Sequence, residues 1–122
     1  MTWNYFRPEE VPGLDNELMA KLDQARHLAG VPFVITDGLR SGTGKQDRNA
    51  VNNSAHLSGM AVDLRCQDSR TLYKMLSALY TVGFKRVGIY FITESGKTRP
   101  THIHVDVSVT LPQEVCWLTQ EA

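Results

Sequence analysis

Apolar residues recur every three or four positions in two stretches of the chain. The stretch 14–29 is followed by Gly30, a common residue at helix ends, so it predicts an amphipathic helix. A second helix is predicted from a cap at Asp68 or Ser69 to near Gly83. Its buried stripe consists of Leu72, Met75, Leu76 and Leu79. Both helices need an apolar surface to pack against.

The remaining patterned segments alternate in the manner of strands. Strands are predicted over 33–36, 60–65, 86–92 and 102–108. Pro112 is predicted to open a short final helix through Trp117, and the polar stretch 37–53 to form a long functional loop. No repeat or linker divides the chain, so we expect one domain over residues 1–122. The predicted fold class is α+β, with a small antiparallel sheet, helices on one face and the functional site on the other.

Two of these strands place polar side chains opposite an apolar column. Because successive side chains of a strand face opposite sides, His102, His104 and Asp106 share one face, while isoleucine and valine occupy the other. The strand 60–65 likewise places Asp63 opposite its apolar column. If both strands belong to one sheet, Asp63 and His104 project from the same open face.

His56 lies seven positions before Asp63, across a short turn, and can return over the strand that carries it. Two imidazoles, a carboxylate and a water form a ligand set typical of catalytic zinc, which lowers the pKa of the water and polarises a carbonyl. Histidines at such spacing are also common as partly exposed surface groups. The pattern leaves open a zinc site and a plain α+β domain without zinc, and metal analysis of the wild type beside His104→Ala distinguishes the two.

Charge and length narrow the classes of function. The 122 residues include 13 Lys+Arg and 13 Asp+Glu, so the net charge is zero and we expect no nucleic-acid partner. The apolar runs are far shorter than the roughly 18 residues that cross a bilayer, so we expect no membrane insertion. The N-terminal segment lacks the apolar stretch of a secretory signal, which predicts synthesis in the cytoplasm. We expect a monomer.

The two cysteines, Cys66 and Cys116, are fifty positions apart and belong to no CxxC motif. They are too few for a disulfide scaffold, and we expect both to be small buried hydrophobic residues. A transition metal would therefore need ligands from the histidines and carboxylates.

Three segments together resemble a known family. The run SAHLSGMAVD, residues 54–63, resembles the SxHxxGxAxD signature of peptidase family M15, the zinc D-Ala-D-Ala carboxypeptidase and endolysin group, whose fold is shared with hedgehog signalling domains. The run HIHVD, 102–106, resembles the HxH element of this group, and TDGLRS, 36–41, resembles its SGYRS-type segment. The resemblance covers roughly residues 14–108 and implies the hedgehog/DD-peptidase fold.

The resemblance also implies roles for particular residues. His56, Asp63 and His104 would be the ligands of Zn²⁺. Arg40 would meet a carboxylate of the substrate through its planar guanidinium, and a solvated loop arginine is the alternative. Ser54 would lie close to the metal, where it would either hydrogen-bond the substrate or brace the loop.

The chain departs from the family pattern at the general base. Many members carry Asp or Glu three positions before the last histidine ligand, where this chain has Thr101. The candidates for proton transfer are, in order, His102, which matches the hedgehog-type histidine, then Glu94, then Asp106. Asp106 has the alternative role of orienting a ligand imidazole.

The function implied by the resemblance is a zinc-dependent peptidase that hydrolyses a peptide bond in the stem or cross-link peptides of bacterial peptidoglycan with a metal-activated water. With the lack of a signal segment, it fits a phage endolysin or a virion-associated hydrolase that reaches the cell wall after release. The alternative is a non-catalytic, zinc-stabilised binding domain of the same fold, which the threonine at position 101 favours. Carboxypeptidase and endopeptidase action both remain open.

Overall fold

The helices form one layer of the fold and the strands form the other. The computed structural model describes residues 3–37 and 59–121. Within these ranges the chain forms a 3-10 turn over Pro8–Glu10, two α-helices and five strands. The helices are α1, Asn16–Ala29, and α2, Ser69–Thr81. The strands are β1, Ile35–Asp37, β2, Ala61–Arg65, β3, Arg86–Glu94, β4, Lys97–Asp106, and β5, Val115–Gln120.

Both predicted helices are confirmed, with aspartate caps at their N-termini. The Asp15 carboxylate accepts the backbone N–H groups of Glu17 and Leu18, and α1 ends at Gly30 with φ of 70°. The Asp68 carboxylate caps α2, and hydrogen bonds from the backbone and hydroxyl of Thr71 lower the pKa of Asp68. Each cap fixes the residue at which its helix begins.

The five strands form one mixed sheet in the order β1-β2-β4-β3-β5. All neighbouring pairs are antiparallel except β3 and β5, which are parallel. The predicted α+β class is confirmed, and the four predicted strands pair antiparallel as expected. The predicted final helix at 112–117 is wrong, because residues 115–117 belong to the parallel strand β5. Exposure alternates along 115–120, and this period of two fits the edge of β3, whose backbone groups would otherwise lack partners.

The apolar core lies between the helices and one face of the sheet. Ile103 and Val105 of β4 are fully buried there, as the alternation predicts. The helices contribute mainly Leu18, Leu22, Met75 and Leu79. Cys66 is buried in this core. Cys116 pairs with Val87 on the helix-facing side of the sheet, but it belongs to the edge strand β5 and is exposed, so the expectation for Cys116 is wrong. In the part of the chain described here, no helix is both long and apolar enough to span a membrane.

Candidate metal centre

One row of side chains crosses the sheet on the face opposite the core. The Cα of His104 in β4 pairs with Asp63 of β2 on one side and with Gly88 of β3 on the other. Gly88 pairs in turn with Trp117 of β5. Since paired residues of neighbouring strands project to the same side, Asp63, His104 and Trp117 share this face.

Asp63 and His104 are in direct contact. The Nδ1 atom of His104 lies 3.1 Å from Oδ1 of Asp63, and the His104 side chain is 1% exposed against 13% for Asp63. The sequence pattern predicted that these two groups share a face, and the structure confirms it. Asp63 is the more accessible of the two.

Asp106 holds the other side of the His104 ring. Its Oδ2 lies 2.8 Å from Nε2 of His104, while its Oδ1 accepts Nε–H of Arg86 at 2.8 Å and the backbone N–H of Ser108 at 3.1 Å. Arg86 also donates to the carbonyl of Pro112 at 2.7 Å. Because the carboxylate of Asp106 only accepts hydrogen bonds, Nε2 of His104 is the donor. Nδ1 is thus the nitrogen that faces Asp63.

The electrostatics of this cluster favour positive charge. Burial lowers the pKa of His104, but the hydrogen bonds to Asp106 and Asp63 outweigh burial and raise it above the ordinary value. The side chain between two carboxylates therefore tends to hold a proton. A divalent cation between Nδ1 and the Asp63 carboxylate would satisfy the same negative field.

These residues fit zinc in chemistry and in spacing. Imidazole nitrogen and carboxylate oxygen are zinc ligands, and two tetrahedral ligands at about 2.0–2.1 Å from the metal lie about 3.3 Å apart. The Asp63–His104 distance of 3.1 Å is close to that value. Within 3–37 and 59–121, no group of three His, Cys, Asp or Glu side chains is arranged to hold a metal. His56, Arg40 and Ser54 lie outside the described residues.

His102 lies beside the Asp63–His104 pair, two positions before His104 on β4 and on the same face of the sheet. Its ring stacks on Tyr90, with centroids 4.2 Å apart and an interplanar angle of 14°. Its Nε2 lies 3.9 Å from Oδ2 of Asp63, and its side chain is 21% exposed. His102 is therefore close to the pair and open to solvent, as a group that acts on a substrate must be.

Glu94 is not brought to this cluster. Its Cα pairs with Lys97 at the far end of the β3–β4 hairpin, and its carboxylate contacts Arg99 at 3.3 Å. Six strand positions separate it from Gly88, which is roughly 20 Å at about 3.3 Å per residue.

Three residues of this face escaped the sequence reasoning. Arg86 carries the buried charge that fixes Asp106, and its Cζ lies 5.1 Å from the ring centroid of Trp117. The Trp117 ring lies 5.5 Å from that of His104, centroid to centroid, and forms a wall of the cluster. Glu121 contacts Nδ1 of His102 at 3.8 Å. The available sequence signal for β5 was the run VCWLT over 115–119, which contains the strand-favouring residues valine, tryptophan and threonine.

The chain thus combines a mixed sheet, helices on one face of it and an aspartate–histidine cluster on the other. The sequence profile of the peptidase M15 family matches residues 5–106, most of the chain, and the chain belongs to this family. Family membership supports a metallopeptidase in general. No curated protein matches the chain, and no solved structure matches it. The residues after 106, including β5 with Trp117, lie beyond the matched segment.

Proposed function

We propose that this chain is a zinc-dependent peptidase that hydrolyses a peptide bond in the stem or cross-link peptides of bacterial peptidoglycan. The observation that supports this most directly is the seating of His104 between Asp63 and Asp106. An imidazole held by a buried carboxylate at one nitrogen, with the other nitrogen beside a second carboxylate, is typical of a ligand prepared for a metal.

In this proposal His56, Asp63 and His104 hold the zinc. Bound zinc would supply Lewis acidity, which lowers the pKa of a water towards 7 and polarises the scissile carbonyl. Asp106 orients His104, since all its contacts are already made to His104, Arg86 and Ser108. Asp106 therefore does not serve as the base.

His102 is the proposed general base. It is the partly exposed imidazole next to Asp63, and Tyr90 restrains its ring by stacking. A neutral Nε2 at this position can take the proton of the attacking water and return it to the leaving amine. Glu94 is too far from Asp63 to share this role.

Recognition of the substrate is assigned to Arg40, whose guanidinium would pair with a carboxylate of the peptide, and to Ser54. The neutral chain has no general attraction to an anionic wall, so binding would be local. We extend the proposal to a phage-type lysis protein or virion-associated hydrolase. Finding the protein in the envelope of uninfected cells would count against that route.

A second function, a zinc-stabilised binding domain without activity, is favoured by one observation. The position that carries an acid in many family members is Thr101, and the nearest preceding acid, Glu94, lies at the far end of the hairpin. Such a domain would bind zinc and wall peptides but release no product.

The deciding experiment incubates the purified protein with peptidoglycan fragments, with and without a chelator, and identifies products by mass spectrometry. The enzyme predicts new peptide termini that disappear with the chelator and in His104→Ala. Stoichiometric zinc without cleavage of any wall peptide would favour the binding domain. Absence of zinc from the wild type would overturn both.

A further inference from the structure

A chain of polar contacts connects the last strand to the proposed base. The Thr101 hydroxyl donates a hydrogen bond to Oε1 of Glu121. The same hydroxyl lies 3.4 Å from Nδ1 of His102, and Oε1 of Glu121 lies 3.8 Å from that nitrogen. Glu121, Thr101 and His102 thus form a continuous series that ends near Asp63.

Local backbone structure places Thr101 in this series. The pairing of β3 with β4 shifts between Tyr90 and Phe91, so Thr101 is an extra residue of β4 at a bulge. A bulge re-aims the side chain it carries, and this one directs the hydroxyl towards β5. The backbone N–H of Glu121 donates to the carbonyl of Phe91 at 2.7 Å. This hydrogen bond fixes the backbone of Glu121, from which the carboxylate extends.

The hydroxyl of threonine has a single proton, and this limits what it can do at His102. Two acceptors compete for that proton, the carboxylate of Glu121 and the carbonyl of Tyr90 at 3.3 Å. The carboxylate takes it, because a hydrogen bond to a charged acceptor is stronger than one to a neutral carbonyl. Towards Nδ1 of His102 the oxygen can then only accept, so Nδ1 carries the hydrogen.

We propose that Glu121, acting through the Thr101 hydroxyl, is a positioning residue that holds His102 in the Nδ1–H tautomer, with the lone pair of Nε2 facing Asp63. The catalytic role of this tautomer rests on the proposed function, because only in a peptidase would the lone pair of Nε2 take a proton from water. Tyr90 fixes the plane of the ring, and Glu121 with Thr101 fixes which nitrogen is basic. The acid absent from position 101 is thereby supplied indirectly, from beyond the family-matched segment.

The test reads the tautomer directly by nitrogen-15 NMR of histidine-labelled protein at about pH 9, well above the ordinary histidine pKa of about 6.5. His102 is assigned among the four histidines from the spectrum of His102→Gln. The wild type should show a protonated Nδ1 and an unprotonated Nε2. Thr101→Val and Glu121→Ala should move His102 towards the other tautomer, whereas Glu121→Gln, which keeps an acceptor oxygen, should retain it.

Activity on wall peptides gives the second measurement. Glu121→Ala should lower kcat about 10- to 100-fold with little change in KM, and Glu121→Gln should restore most of it. Glu94→Ala, a carboxylate removed at the far end of the hairpin, is the matched control. Zinc content should match that of the wild type in every variant.

The proposal is overturned if wild-type His102 has its hydrogen on Nε2, or if Thr101→Val leaves the tautomer unchanged. The wild-type spectrum alone decides the first point, even if a variant fails to fold. A wild type that cleaves nothing but shows the Nδ1–H tautomer would refute the proposed function and leave the positioning of His102 intact.

Discussion

The Nε–H group of Arg86 donates to Oδ1 of Asp106 at 2.8 Å, with side chains only 4% and 0% exposed. A buried carboxylate without its cation is strongly destabilising, so Arg86 maintains the charge that orients His104. The candidate metal centre therefore depends on a residue that, among the described contacts, does not touch either proposed ligand, Asp63 or His104.

Replacing Arg86 with methionine should lower the free energy of unfolding by about 3–5 kcal/mol, since it leaves the Asp106 carboxylate buried without a counter-charge. Urea denaturation of the metal-free protein measures this. Arg99→Met is the matched control, because the exposed Arg99–Glu94 pair should contribute less than about 1 kcal/mol. Equal losses in the two variants would contradict the interpretation of Arg86.

Asp106→Asn should weaken zinc binding about 10- to 100-fold while the chain still folds. The amide oxygen would stay with Arg86 and Ser108, which turns the NH₂ group towards Nε2 of His104. Nε2 would then accept, Nδ1 would carry the hydrogen, and the ligand nitrogen would be blocked. Competition with a zinc-sensitive dye measures the affinity, with Glu94→Gln as the control; unchanged affinity in Asp106→Asn would refute the assignment.

Gly88→Ala should destabilise the protein by about 1–3 kcal/mol and displace the Trp117 ring. A Cβ atom at Gly88 would lie 2.4 Å from Cε2 and Nε1 of Trp117, too close for any contact. Thermal unfolding and the tryptophan fluorescence spectrum measure the two effects. Adding Trp117→Leu should recover much of the stability lost in Gly88→Ala, and no recovery would mean that the strain lies elsewhere.

Stability should fall between about pH 9 and pH 11 because of Cys66. Burial raises the pKa of its thiol from 9.0 to about 11, so over this range the unfolded thiol ionises while the folded one remains neutral. A raised folded pKa gives stability that is complete below the unfolded pKa and is lost as the pH rises to the folded pKa. The loss is on the order of 2–3 kcal/mol. Urea denaturation at several pH values should show that the free energy of unfolding falls less steeply between about pH 9 and pH 11 in Cys66→Ala than in the wild type.

Much of the fold was predictable because the relevant signals are local. The helix caps Asp15 and Asp68 and the apolar stripes define α1 and α2 within a few residues of where they lie. The alternation around His104 likewise gave the face on which it projects. To predict that Asp63 and His104 lie on the same face, it was enough to assume that their two alternating segments belong to one sheet.

The last strand was not predictable in the same way. Proline at 112 is a typical first residue of a helix, and the apolar run 115–118 after it shows no alternation of apolar and polar residues that would indicate a strand. This segment forms strand β5 because it pairs with the open edge of β3, and β3 lies more than twenty positions earlier in the chain. Because β5 was misassigned, Trp117 and Glu121 could not be placed beside His104 and His102.

The parallel pairing of β5 with β3 has a further consequence during synthesis. The ribosome releases β2, β4 and β3 before β5, so the aspartate–histidine cluster can assemble on a sheet that still lacks its Trp117 wall and the Glu121 carboxylate. At that stage Asp63 and His104, the proposed metal ligands, would lie on a face without the Trp117 side chain beside them. The cluster gains its full set of neighbours only when β5 pairs with the edge of β3.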